Sequence, residues 1–64
     1  MAVRYWEINV SGWLNTQTVC GEEMTEDEAI ARTGAKPEDC WTPKEVSRQQ
    51  YAATVRHNSQ KNRR

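Results

Sequence analysis

The stretch Val3 to Cys20, V-R-Y-W-E-I-N-V-S-G-W-L-N-T-Q-T-V-C, constrains the fold more than any other, because it holds two of the chain's three tryptophans and most of its large apolar side chains. From Val3 to Val10 the pattern alternates. Arg4, Trp6, Ile8 and Val10 share one side of an extended strand, and Val3, Tyr5, Glu7 and Asn9 share the other. The even positions form the stronger apolar face. Ser11-Gly12 and Asn15 supply turn chemistry, so the chain reverses within residues 11–16. The β-branched run Thr16-Gln17-Thr18-Val19-Cys20 returns as a second strand that ends at Gly21. A β-hairpin over residues 3–20 follows. Because an isolated hairpin is marginal in water, a helix or a second chain must cover its apolar face.

Thr25-Glu26-Asp27-Glu28 has the form of a capping box, with three acids in the first turn to suit the positive end of a helix dipole. Gly34 is a ready C-cap, which predicts a short helix over 25–33 that turns Ala29, Ile30 and Thr33 toward the hairpin. Pro37 stops any continuation, and Trp41 anchors the connector that follows. Thr42-Pro43-Lys44-Glu45 repeats the box with proline at the first helical position, predicting a second helix that begins at residue 43 and runs to about His57. Its apolar stripe is poor, with Tyr51, Ala52 and Val55 on one side and Val46 nearly opposite. Residues 58–64 are polar and basic with nothing to bury, and are expected to be a disordered tail on a single small domain over 1–57. The fold class is therefore α+β, with Trp6, Ile8, Val10, Val19, Ile30 and Trp41 in the core.

Charge divides the chain. Residues 1–46 carry four basic against nine acidic residues, a net of −5, whereas residues 47–64 carry five basic residues and no acid. Sixty-four residues of which 36% are hydrophobic make one small core at most, and the three indoles have to supply much of it. No apolar run long enough to span a bilayer and no secretion-signal pattern is present, so the expected location is the cytoplasm, with Cys20 and Cys40 as free thiols rather than a bridge. Cys20, Cys40 and His57 lack zinc-ligand spacing, and the acidic run lacks the alternating donors of a calcium loop. No metal, cofactor or enzymatic activity is expected.

Two surfaces stand out. The first joins Trp13 and Leu14, near the turn, with the acidic set Glu22, Glu23, Glu26, Asp27 and Glu28, a patch whose sign and compactness suit a basic groove on another protein. Trp13 and Leu14 either reach a partner or lie beneath the second helix. The other surface is basic: Arg48, Arg56, Lys61, Arg63 and Arg64, with Tyr51 among them, would serve phosphate contacts. The free edges of a two-stranded sheet leave homodimerisation open as well.

Two resemblances bear on function. Glu28 to Trp41, E-A-I-A-R-T-G-A-K-P-E-D-C-W, resembles the first helix and turn of helix-turn-helix proteins, matching in kind at Ala29, Ile30, Ala31, Thr33, Gly34 and Ala35. It implies a small nucleic-acid-binding regulator. Residues 3 to 34 as a whole, a strand with aromatic and β-branched residues, a T-V return strand and a short acidic helix, look like the layout of several small phage-encoded inhibitors of host machinery, including some anti-CRISPR proteins. That likeness carries no site residues over, but it implies a non-enzymatic protein of phage or mobile-element type that inhibits or adapts a host protein or complex, a host-defence inhibitor among the roles it covers. This is the favoured expectation; the nucleic-acid regulator is the alternative.

Overall fold

The computed structural model describes residues 2–61. Its elements run β1 (Val3–Ile8), β2 (Gln17–Glu22), α1 (Glu26–Thr33), a 3-10 turn (Pro37–Asp39), β3 (Lys44–Val46) and α2 (Arg48–Lys61). The α+β class is as expected, but the sheet has three antiparallel strands in the order β2-β1-β3. Trp6, at the middle of β1, lies opposite Val19 on one side and Glu45 on the other.

β3 stands where a helix was expected to begin after Thr42-Pro43. The correction has a tertiary cause. β1 offers a free edge, and Lys44, Glu45 and Val46 pair with Glu7, Trp6 and Tyr5 along it. Arg4 then holds Glu45 across the sheet with two hydrogen bonds of 3.0 Å, so the carboxylate read as the far half of a capping box is engaged elsewhere. Helix α2 starts instead after Ser47, whose Oγ accepts from the Gln50 amide at 3.1 Å. Ser47-Arg48-Gln49-Gln50 is itself an S-x-x-Q capping pattern, a weaker local signal than Thr42-Pro43. The helix continues to Lys61, four residues past its expected end at about His57, so it takes in the first residues of the expected tail. Asn62, Arg63 and Arg64, where the rest of the expected disorder falls, lie outside the described residues.

Helix α1 forms as its sequence predicts. The Thr25 hydroxyl accepts from the Glu28 amide at 3.2 Å, the Glu28 carboxylate accepts from the Thr25 amide at 2.9 Å, and Gly34 takes the left-handed conformation, φ 79°, as C-cap. The bonds from Thr25, with a smaller contribution from Arg32, hold the Glu28 carboxyl below its usual range. Its stabilising effect is therefore complete above the unfolded value of about 4.3. It disappears as pH falls through the lowered folded value. Urea midpoints should accordingly separate wild type from Glu28→Gln at pH 7 and converge well below pH 4; an equal gap at both pH values would mean the carboxylate is not the capping group.

No second helix follows Gly34 directly, which overturns the helix-turn-helix expectation. The segment instead makes the short turn at Pro37–Asp39 and is then tied to the loop after β1, with Ser11 N–H donating to Asp39 O at 2.9 Å, Val10 bridging Cys40, and Trp41 N–H donating to Asn9 O at 2.8 Å. Helix resumes only at Arg48, on the opposite face of the sheet.

The core lies between α1 and the even face of β1: Trp6, Ile8, Val10, Met24 and Ala29, with Val19, Ile30, Ala35 and Cys40 half-buried around them. The Trp6 indole N–H donates to Met24 O at 3.2 Å. Trp41, expected here, is 66% exposed. The Val10–Cys40 bridge turns Cys40 inward, and in extended chain the next side chain must point the other way. Met24, hidden in an acidic run, fills the core from the β2–α1 turn.

Helix α2 covers the other face. Tyr51 lies on Tyr5 with ring centroids 5.1 Å apart and planes at 53°, the Thr54 hydroxyl donates to Glu7 Oε2 at 2.6 Å, and Asn58 Nδ2 donates to Thr16 O at 2.8 Å. The inward stripe of α2 is thus Tyr51, Thr54 and Asn58, largely polar. Cys20 and Cys40 are free thiols on opposite sides of the sheet, Cys20 beside Tyr51 and Cys40 beside Thr33.

Candidate functional site

The residues that could meet a partner fall at three places. At the end of the sheet where β1 gives way to the 9–16 loop, Gly12 (φ 85°) lets the chain close a tight turn, sealed by Trp13 N–H donating to Val10 O at 3.0 Å. The bonds from Ser11 and Trp41 described above fasten this turn to residues 39–41. Trp13 and Trp41 consequently stand on one groove of about 370 Å³ whose other walls are Asn9, Val10, Ser11 and Gly12. Trp13 is 45% exposed and Leu14 94% exposed. Of the two arrangements open to the turn from sequence, burial under α2 is not the one adopted. Single exposed apolar side chains are ordinary, but two indoles on one groove of so small a domain form a patch that water covers at a cost. Leu14, next in the chain, lines a neighbouring groove beside α2 with Ala53, Thr54 and His57.

The acidic set lies at the other end. Glu22 pairs with Val3, and Glu23 N–H donates to Ala2 O at 2.8 Å, which starts the turn into α1. All five acids are exposed. A six-residue strand separates them from Trp13, a distance of roughly 17–20 Å. The surface expected to combine Trp13 and Leu14 with Glu22, Glu23, Glu26, Asp27 and Glu28 is therefore two patches, and Glu28 is already committed to the helix cap.

The third place is beside α2. Arg48 and Arg56, two of the expected phosphate-binding residues, line one groove of about 640 Å³ together with Tyr5, Tyr51, Ala52, Val55 and Ser59. Arg63 and Arg64 lie outside the described residues, and Lys61 is placed only as the last residue of the helix. A hydrogen bond with the Cys20 thiol, and then burial, push the Tyr51 phenol above its usual range.

Sequence reasoning missed Trp41 as a surface residue and Tyr5 as a groove residue. Trp41 was legible only through the period of two after Cys40, and Tyr5 only once the odd face of β1 was known to receive a helix. Among the described residues, no group of three or more His, Cys, Asp or Glu side chains comes together where it could hold a metal ion, and no helix is long and apolar enough to cross a membrane. No protein-family model, curated protein or solved structure matches the chain.

Proposed function

We propose that this chain is a non-enzymatic binding protein that docks its Trp13–Leu14–Trp41 end onto another protein. The observation that carries the reading is the pair of half-exposed indoles on one groove, fixed by backbone hydrogen bonds rather than left on a loose loop. Tryptophan is enriched among the residues that dominate binding energy, and a rigid indole held in advance loses little entropy on docking. Inhibitor or adaptor of a host protein or complex, the role implied by the likeness to small phage-encoded inhibitors, is the form of action that suits a chain with such a patch. The acids around Glu26 steer the approach from the far end of the sheet and are not part of the anchor.

The test compares three tagged forms in affinity capture from a bacterial lysate: wild type, Trp13→Ser with Trp41→Ser, and Glu26→Lys with Asp27→Lys, Glu28 being kept as the helix cap. Loss of the captured protein is expected with the tryptophan variant, at roughly 30-fold weaker affinity or more if either indole is a hot spot of about 2 kcal/mol. The charge-reversed form should retain it with a slower association rate and a weaker salt dependence. Capture that ignores the tryptophans but vanishes on charge reversal would move the anchor to the acidic patch.

A further inference from the structure

We infer that the groove between α2 and the sheet is a second binding site, separate from the tryptophan end, and that it takes single-stranded nucleic acid. The groove has the two parts such a ligand needs. Its floor holds two tyrosine rings, Tyr5 and Tyr51, with Ala52 and Val55 forming an apolar wall; its ends hold the exposed guanidinium groups of Arg48 and Arg56, and no acid lines it. Bases stack on aromatic faces whatever their identity, while cations along the rim track the phosphates. Arg48 and Arg56 are two helical turns apart, about 12 Å, which matches roughly three to four nucleotides of stacked strand. A duplex hides its base faces within the stack and would leave the tyrosine floor unused.

The acids at the start of α1 do not stand in the way. Glu26, Asp27 and Glu28 begin α1, which packs on the even face of β1, whereas Arg48 and Arg56 belong to α2 on the odd face. Two layer spacings of about 10 Å each put the helices on the order of 20 Å apart, beyond the Debye length of about 8 Å at physiological salt. Two acids lie on the face that α2 covers: Glu7, which accepts hydrogen bonds from Thr54 and Gln50 on the flank away from the groove, and Glu22, which its pairing with Val3 puts on the same face. Glu45 is held by Arg4 on the α1 side. Neither Glu7 nor Glu22 lines the groove itself, whose charged walls are Arg48 and Arg56. Tyr51 offers a phosphate-bearing ligand a ring that is uncharged at physiological pH, as an ordinary phenol is.

An acidic peptide would satisfy the arginines but would gain little from the tyrosine floor. The experiment measures fluorescence anisotropy of labelled oligothymidylate and oligouridylate, each about 16 nucleotides, and of a duplex of equal length, with the full chain across a salt series from about 50 to 200 mM. Single strands should bind more tightly than the duplex, and the two labelled strands separate a DNA ligand from an RNA one. Arg48→Gln with Arg56→Gln, both on exposed positions, should lower the slope of log affinity against log salt by about 1.4, the value for two phosphates on a single strand. Tyr51→Leu, which keeps the bulk but not the ring, should weaken binding roughly 5- to 100-fold, and Tyr51→Phe should restore it. The assignment is overturned if single strands do not bind at the lowest salt, if the double arginine variant binds unchanged while removal of residues 62–64 abolishes binding, or if poly-glutamate displaces the strand as effectively as unlabelled strand does. The last result would give the groove to an acidic protein segment. None of these outcomes touches the tryptophan end, so the two proposals fail separately.

Discussion

Replacing Trp6 with alanine is expected to remove most of the stability of the fold. Trp6 is 5% exposed at the centre of the central strand, its indole N–H reaches Met24 O, and the Arg4 guanidinium lies 4.9 Å from its ring centroid. Removing a buried tryptophan side chain costs about 3–5 kcal/mol. A chain of this length has only about 3–10 kcal/mol in total, at roughly 0.05–0.15 kcal/mol per residue. Urea denaturation followed by far-ultraviolet circular dichroism should show the variant with little or no native baseline at physiological temperature. Trp6→Phe should fall between, keeping much of the apolar area while losing a hydrogen bond of about 1 kcal/mol. The same deletion at Trp41 should shift stability by no more than about 0.5 kcal/mol, because that indole stands in water. Equal losses at positions 6 and 41 would mean that the core is not where the even face of β1 puts it.

The second large effect belongs to Ile8. It is fully buried, and it is the last residue of β1 before the loop that carries Trp13. Ile8→Ala should cost about 2–5 kcal/mol, through lost apolar contact and the cavity left between α1 and the sheet, whereas Ile8→Val should cost about 0.5–1.5 kcal/mol. The denaturant midpoint should move in that order while the slope m stays constant, since the surface exposed on unfolding hardly changes. A near-neutral Ile8→Ala would show that α1 can close over the gap. The variant also discriminates anchor from scaffold, because it disturbs the support of the tryptophan groove without touching either indole.

How much of this was legible in the sequence depended on whether the deciding contact was local. Helix α1 was readable in full, since Thr25, Glu28 and Gly34 settle its ends among themselves. The alternation of β1 was readable for the same reason, each residue being judged against its immediate neighbours. β3 was not. Three residues, two of them charged, become a strand only because β1 has an unfilled edge and Arg4 waits there for Glu45. The docking of α2 escaped for a different reason: its inward stripe of Tyr51, Thr54 and Asn58 matches the half-polar odd face of β1, and a hydropathy pattern cannot register a stripe that is held by hydrogen bonds.

The candidate surfaces follow the same division. Trp13 and Leu14 were visible as turn residues with an apolar character out of place, and Arg48 and Arg56 as cations in a half without acids. Joining Trp13 to Trp41 required the pairing of Asn9 with Trp41, and joining the arginines to Tyr5 required knowing which face α2 covers. Both are relations between distant parts of the chain. The acidic set, continuous in sequence with the hairpin, is separated from the turn simply because a strand has length.

The strand at the centre of the sheet is also the first of the three strands to leave the ribosome. β1 must therefore wait for both of its neighbours, and at a synthesis rate of about 5–20 residues per second β3 emerges some seconds after it. During that interval β2 and α1 can already shelter Trp6 and Ile8, because both precede β3 in the chain. The odd face has no such early cover. Tyr5, Glu7 and Cys20 stay open to solvent until α2, which follows β3 in the chain, arrives to close them. The polar character of that face is what a nascent chain in this order can tolerate: the apolar side is the one covered first, and the side left waiting is the one that water can wet.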